Sequence, residues 1–146
     1  MLLSQDFKEF LQSLNESDVE YLIVGGYAVA FHGHPRYTKD IDIWLSAKRS
    51  NIENLLIALE RFGFSSLELE ADDFNDLEQI IQLDYPPNRI DLLTDLKDID
   101  FKTCYKNKMQ VAIEGVQANF INLDDLKKNK KATGRHQDLA DLENLE

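Results

Sequence analysis

Apolar positions recur along the chain with a spacing that changes from segment to segment, and the changes mark out its elements. Between Asp6 and Leu14, residues Phe7, Phe10, Leu11 and Leu14 fall at i, i+3, i+4 and i+7, which predicts an amphipathic helix with Ser4 as its N-cap. Asn15 to Asp18 interrupts it. Val19 to Val24 is a dense apolar run suited to a strand buried on both faces. Gly25-Gly26 reads as a turn, and Tyr27 to His32 as a short helical segment stopped by Gly33 and Pro35. Asp40 to Leu45 is the next strand. Ser50 opens a helix with Ile52, Leu55, Leu56 and Leu59 on one stripe and Gly63 beyond its end.

Phe64 to Asn75 is acidic and irregular, with a short strand drawn at Ser66 to Leu69. Gln79 to Leu83 and Arg89 to Leu93 read as strands joined through Tyr85-Pro86-Pro87-Asn88. Met109 to Ile113 and Val116 to Phe120, separated by Glu114-Gly115, form a hairpin pattern. Asn122 to Lys131 and Gly134 to Leu145 are the last two helices, with Asn122 and Thr133 as candidate caps. This order predicts a mixed α/β fold, with no internal repeat and no low-complexity linker, and one domain spanning 1–146.

Composition narrows the class. The 146 residues are 43% hydrophobic, enough for a sizeable core, and no run approaches the roughly 18–20 apolar residues of a membrane span. The N-terminus lacks the basic and apolar regions of a signal peptide. A single cysteine, Cys104, excludes an internal disulfide framework, fits a reducing cytoplasm, and reads as an inert packed thiol. With 27 acidic against 16 basic residues the formal net charge is −11, which argues against a broad nucleic-acid surface. A small nucleotide stays compatible, because a bound divalent cation inverts the local field.

Candidate chemistry gathers around one segment. After Val24-Gly25-Gly26 come thirteen residues and then Asp40-Ile41-Asp42. On a strand Asp40 and Asp42 share a face, with Cα atoms about 6.5–7 Å apart, while Ile41, Ile43 and Leu45 point the other way. Two such carboxylates repel unless a cation lies between them. Mg²⁺ suits the place, since it takes one or two carboxylates together with phosphate oxygens. Asp91 on a second strand could complete a two-metal site. Taken alone, Asp-x-Asp also describes the solvated face of an edge strand, and Arg89-Ile90-Asp91 also describes a surface salt bridge.

The two glycines permit close backbone approach and leave N–H groups for phosphate at a helix start. Arg36 offers a planar fork for a triphosphate, or else pairs with a surface acid; Thr38 could cap or orient its loop. His32 and His34 lack the spacing of a zinc site and read as loop histidines, a substrate-facing role being left open.

At these residues the chain resembles the polymerase β-like nucleotidyltransferase superfamily, whose signature is an apolar residue, Gly-Gly or Gly-Ser, Asp-x-Asp between apolar positions, and a later strand-borne Asp. The stretches Gly25 to Ala30 and Arg36 to Ile43, and the tail Gly134 to Leu142, are similar to small bacterial members, among them antibiotic nucleotidyltransferases and toxins of abortive-infection and toxin–antitoxin systems. The resemblance implies the nucleotidyltransferase fold, an α/β (α+β) mixed sheet with helices packed mainly on one face. It implies that Asp40 and Asp42 hold Mg²⁺ (two ions), with Asp91 as third ligand or as base. Gly25, Gly26, Arg36 and Thr38 would contact an NTP, with ATP the first candidate. Lys127, Lys131 and Arg135 either reach the phosphates or form a solvated basic turn, and Asp138 and Asp141 cap or bridge locally. Trp44, on the face of the two acids, either lines the cleft or packs.

Larger members carry an added helical domain for which 146 residues leave no room. The expectation is therefore either a cleft completed by a second protomer or partner protein, or an acceptor that is itself a macromolecule; the acceptor is left unidentified among small molecule, protein and RNA end. The alternative is a nucleotide-binding or toxin–antitoxin partner subunit with little or no turnover.

Overall fold

In a computed structural model the described residues are 4–33, 39–64, 69–75, 80–85 and 88–145, the side chain of Tyr85 excepted. Helix α1 covers Gln5–Glu16, and the Ser4 hydroxyl accepts the Phe7 N–H at 3.2 Å, as its cap position predicts. Its apolar stripe, Phe7, Phe10, Leu11 and Leu14, is fully buried. Strand β1 (Tyr21–Val24) is buried at every position.

Helix α2 (Gly25–Phe31) starts at the glycines rather than after them, and Gly25 itself keeps the left-handed φ of a turn. Strand β2 is Asp40–Leu45 and helix α3 is Arg49–Phe62, which starts one residue before Ser50 and has no side-chain cap. Helix α3 ends at Gly63, whose φ of 109° and bond to the Leu59 carbonyl make the left-handed C-terminal cap.

A 3₁₀ turn at Ala71–Phe74 precedes β3 (Ile81–Tyr85) and β4 (Asn88–Leu93). The strand drawn at Ser66 to Leu69 falls mostly outside the described residues. The hydrophobic pattern does not announce helix α4 (Phe101–Lys106), which is six residues long and buries one side chain, Cys104; Asp100 caps it by accepting the Thr103 N–H. Strands β5 (Met109–Ile113) and β6 (Val116–Phe120) form the expected hairpin. Glu114 and Gly115 both take positive φ there, as a type I′ turn requires. Helices α5 (Leu123–Thr133) and α6 (His136–Leu145) close the chain. Thr133 does not cap α6 from outside. It ends α5, and its hydroxyl donates across to Asp138 at 2.7 Å.

The six strands form one mixed sheet in the order β3-β4-β2-β1-β6-β5. Pairing is parallel for β2–β4 and β1–β6 and antiparallel for the rest. Buried apolar residues from helices and sheet make one cluster. In it Phe10 meets Phe62 of α3 edge-on, Phe7 meets Tyr27, and Trp44 meets Phe101 of α4. Cys104 is packed, as expected, and burial, then a hydrogen bond and the charge of Asp125, push its thiol up to about 12, away from the reactive thiolate. No helix among the described residues is long and apolar enough to cross a membrane.

Candidate active site

Strand β2 lies inside the sheet, flanked by β4 and β1, so the edge-strand explanation of Asp40 and Asp42 is excluded. Parallel pairing sets Asp42 opposite Asp91 and Asp40 opposite Arg89. Opposed residues share a face, so three carboxylates and one guanidinium gather on one side of two adjacent strands. Trp44 on that face packs: it is 1% exposed against Phe101, and its indole N–H has no hydrogen-bond partner among the described residues.

Gly25 is required by the Asp42 carboxylate. Its φ is +67°, and a Cβ built there would collide with Asp42 Oδ2 and lie 2.9 Å from Asp42 Cγ. The register of β1 against β2 explains the approach, since Val24 sits opposite Asp42. The backbone that opens α2 is thereby laid directly on the acidic strand, with the first-turn N–H groups having no carbonyl partner within the helix. Gly25→Ala should cost about 2 kcal/mol of stability from φ and crowding together. It should also push the Asp42 carboxylate aside; urea denaturation measures the first effect, and loss of metal or nucleotide binding the second.

Arg89 grips the other two acids. Its Nε donates to Asp91 Oδ1 at 2.9 Å, and its Nη2 donates to Asp91 Oδ2 at 3.1 Å and to Asp40 Oδ2 at 3.0 Å. The surface salt bridge that the Arg89-Ile90-Asp91 alternation allows therefore exists, and it reaches further than the alternation suggests. Asp42 has a different environment. Burial, then the charge of Asp91, a hydrogen bond with Asp91 and the charge of Asp40, push its carboxyl up to about 6, against a pull down from Lys130.

Three hard oxygen donors on one face, one of them raised by burial and then by its acidic neighbours, are a donor set whose charge a divalent cation relieves. Among the described residues, however, no three acidic, histidine or cysteine side chains have the spacing to hold a metal ion as they stand. The donors fit a divalent cation in chemistry and in the face they share.

A profile of the family described as "Nucleotidyltransferase of unknown function (DUF6036)" matches residues 2–146. The chain belongs to that family. Solved structures agree on the fold. Lincosamide antibiotic adenylyltransferase LnuA, lincomycin-bound, is 16% identical with a TM-score of 0.64, covering 99% of this chain and 96% of that one. A putative nucleotidyltransferase from Thermotoga maritima is 19% identical with a TM-score of 0.62, covering 94% and 88%. An antigenic nucleotidyltransferase-like protein from Paracoccidioides brasiliensis is 17% identical with a TM-score of 0.54, covering 98% and 77%. Among curated proteins none matches the sequence.

In this nucleotidyltransferase the remaining candidates fare unequally. Arg36, Thr38 and His34 lie outside the described residues. His32 Nε2 sits 2.7 Å from the Ile121 carbonyl, which ties the ring to backbone. Lys131 is exposed and Lys127 half-buried. Arg135 is 76% exposed at its side chain and donates to Asp138 through Nε at 2.7 Å.

Among the described residues the cation that enters the interior is one the sequence does not single out, Lys130. Its Nζ lies 3.2 Å from Asp138 and 3.0 Å from Asp141, whose side chains are both 1% exposed, and its charge lowers the Asp42 pKa. A signal is present: Leu123, Leu126 and Lys130 stand at i, i+3 and i+7, which puts this lysine on the buried stripe of α5. Asp138 and Asp141 bridge locally, as expected, but deep in the protein.

Proposed function

We propose that the chain, working as one domain over residues 1–146 in a reducing cytoplasm, transfers the NMP group of an NTP, ATP first, to a hydroxyl or phosphate acceptor. The observation that carries this reading is the facing of Asp42 and Asp91 on adjacent inner strands, with the Gly25 backbone laid against Asp42. Asp40, Asp42 and Asp91 would hold Mg²⁺, with room in the chemistry for two ions. When bound, that metal supplies charge neutralisation at the phosphates and at the leaving oxygen.

The chain's own groups do the rest. Gly25 and Gly26 admit the triphosphate against backbone N–H groups, and Arg36 and Thr38 would supply further contacts to it. The acceptor oxygen attacks the α-phosphorus and forms the new P–O bond as the α–β bridging bond breaks. Pyrophosphate leaves, and the acceptor proton passes to Asp91 or to water. In-line positioning and electrostatic stabilisation carry the rate.

A small hydroxylated acceptor is compatible with this chain length, because LnuA, described as lincomycin-bound, is covered over 96% of its own length. A cleft completed by a second copy or a partner protein stays within the proposal for acceptors that are larger. The test is a thermal-shift titration with each NTP, with and without Mg²⁺, for wild type and Asp42→Asn. One Mg²⁺–NTP pair should raise the wild-type Tm by several degrees more than it raises the variant's. Equal shifts in the two proteins for every NTP would remove the metal site from the proposal. Stabilisation by NTP with no labelled product in cell extract would mark a nucleotide-binding partner subunit instead.

A further inference from the structure

Arg89 stands where the carboxylates want a cation. One guanidinium satisfies both oxygens of Asp91 and reaches across the strand pair to Asp40. Its side chain is 37% exposed, as is 39% of Asp40, so water and ions reach this edge of the cluster. We infer that Arg89 is an internal counter-cation that a divalent ion must displace from Asp40 before the three acids can converge on metal.

This rests on the metal-site reading above, and three observations carry it. The acids sit on one face of two paired strands, yet among the described residues no three such side chains are placed to hold a metal ion. The group lying between Asp40 and Asp91 is itself a cation, and arginine stays protonated at any physiological pH, so it cannot leave the site by losing its charge. A displaced guanidinium also has somewhere to go. Asp84 of β3 is opposite Arg89 in register and exposed, and so shares the face of the displaced group.

Displacement has a distinctive energetic form. An internal competitor multiplies the apparent metal dissociation constant by one plus the ratio of closed to open Arg89, leaving the number of sites unchanged. Three charge-assisted hydrogen bonds on a half-exposed group make that ratio about ten, so removing the guanidinium should tighten metal binding about tenfold. Simple loss of one positive charge nearby would also help metal, and a control has to separate the two. Arg135 serves: its charge is felt at Asp42, but its hydrogen bonds go to Asp138.

The experiment measures Mn²⁺ binding to the nucleotide-free full chain by calorimetry or by loss of the free-ion electron paramagnetic resonance signal. The proteins are wild type, Arg89→Gln, Arg89→Lys, Arg135→Gln and Asp42→Asn. Circular dichroism and Tm in chelator establish that each is folded, and Arg89→Gln should melt lower than wild type when metal-free.

Displacement predicts about tenfold tighter Mn²⁺ for Arg89→Gln and an intermediate value for Arg89→Lys, which pairs through one point rather than a fork. It also predicts little change for Arg135→Gln. If wild type binds Mn²⁺ through Asp42 but Arg89→Gln binds no tighter, Arg89 supports the loaded site and the inference is overturned while the metal site stands. Equal gains for Arg89→Gln and Arg135→Gln would reduce the effect to bulk field and overturn it as well. If Mn²⁺ binding is absent or indifferent to Asp42 in every protein, the metal site fails and the inference fails with it.

Discussion

Asp42→Asn should abolish nucleotidyl transfer and at the same time make the metal-free protein harder to unfold. The activity loss is on the order of 10³-fold or more, since the side chain that faces Asp91 and abuts Gly25 loses the charge a metal would need. Labelled NTP incubated with cell extract measures it.

The stability gain follows from the raised carboxyl, which moves from an ordinary 3.8 to about 6 in the fold. Between those values the folded state binds more protons than the unfolded one, so wild-type stability falls as pH rises from about 4 to about 6 and is level above. The whole shift corresponds to at most about 3 kcal/mol, and partial solvation brings the expected gain from Asn nearer 1–2 kcal/mol. Urea denaturation in chelator at about pH 8 and about pH 5.5, clear of the isoelectric point near 4.6, makes the comparison. The variant's advantage should be larger at the higher pH. An Asn variant less stable than wild type at both would mean that the fold does not penalise the Asp42 charge.

Lys130→Met is expected to be the most destabilising single change in the C-terminal half. Lys130 is 7% exposed at its side chain and is paired with two carboxylates that are 1% exposed. Removing the cation leaves those charges behind in a place that penalises them, a cost of about 3–5 kcal/mol. The partners that stay favour the lower end of that range. Asp138 keeps Arg135 and Thr133, and Asp141 keeps the Gln137 side-chain amide at 2.9 Å.

For Asp138, burial raises the carboxyl, but the hydrogen bonds from Arg135, Thr133 and Lys130 outweigh it and hold it well below the usual carboxylate range. Its contribution is therefore intact above about pH 4 and is lost only in stronger acid. Equilibrium denaturation at neutral pH should show the full Lys130→Met loss, and adding Asp141→Asn should recover most of it. A loss below about 1 kcal/mol would mean that water already reaches the cluster.

Elements whose signal is local are legible from the chain. The α1 stripe with its Ser4 cap, the alternation of β2 and the Glu114-Gly115 hairpin depend on neighbours within a few residues. What depends on long-range register is not. Asp42 meets Asp91 only because β2 and β4 pair in parallel, and that pairing decides which carboxyl is crowded and which is gripped by Arg89. The motif names the three acids without ranking them. Helix α4 escapes notice because six residues with one buried side chain leave almost no periodic trace. Lys130 is hidden because α5 carries Lys127, Lys128, Lys130 and Lys131, and composition does not distinguish the lysine that turns inward.

Trp44 gives this protein an optical handle on its own chemistry. It is the chain's single tryptophan, two residues beyond Asp42 on the same strand and the same face, and sealed from water against Phe101. Every photon of indole emission therefore comes from one place beside the carboxylates. Its indole N–H has no partner among the described residues, so the emission should respond to small changes in local polarity and field. Cation entry and nucleotide arrival can be followed in stopped flow on the unlabelled wild-type chain, with no fluorophore to disturb the strand being watched.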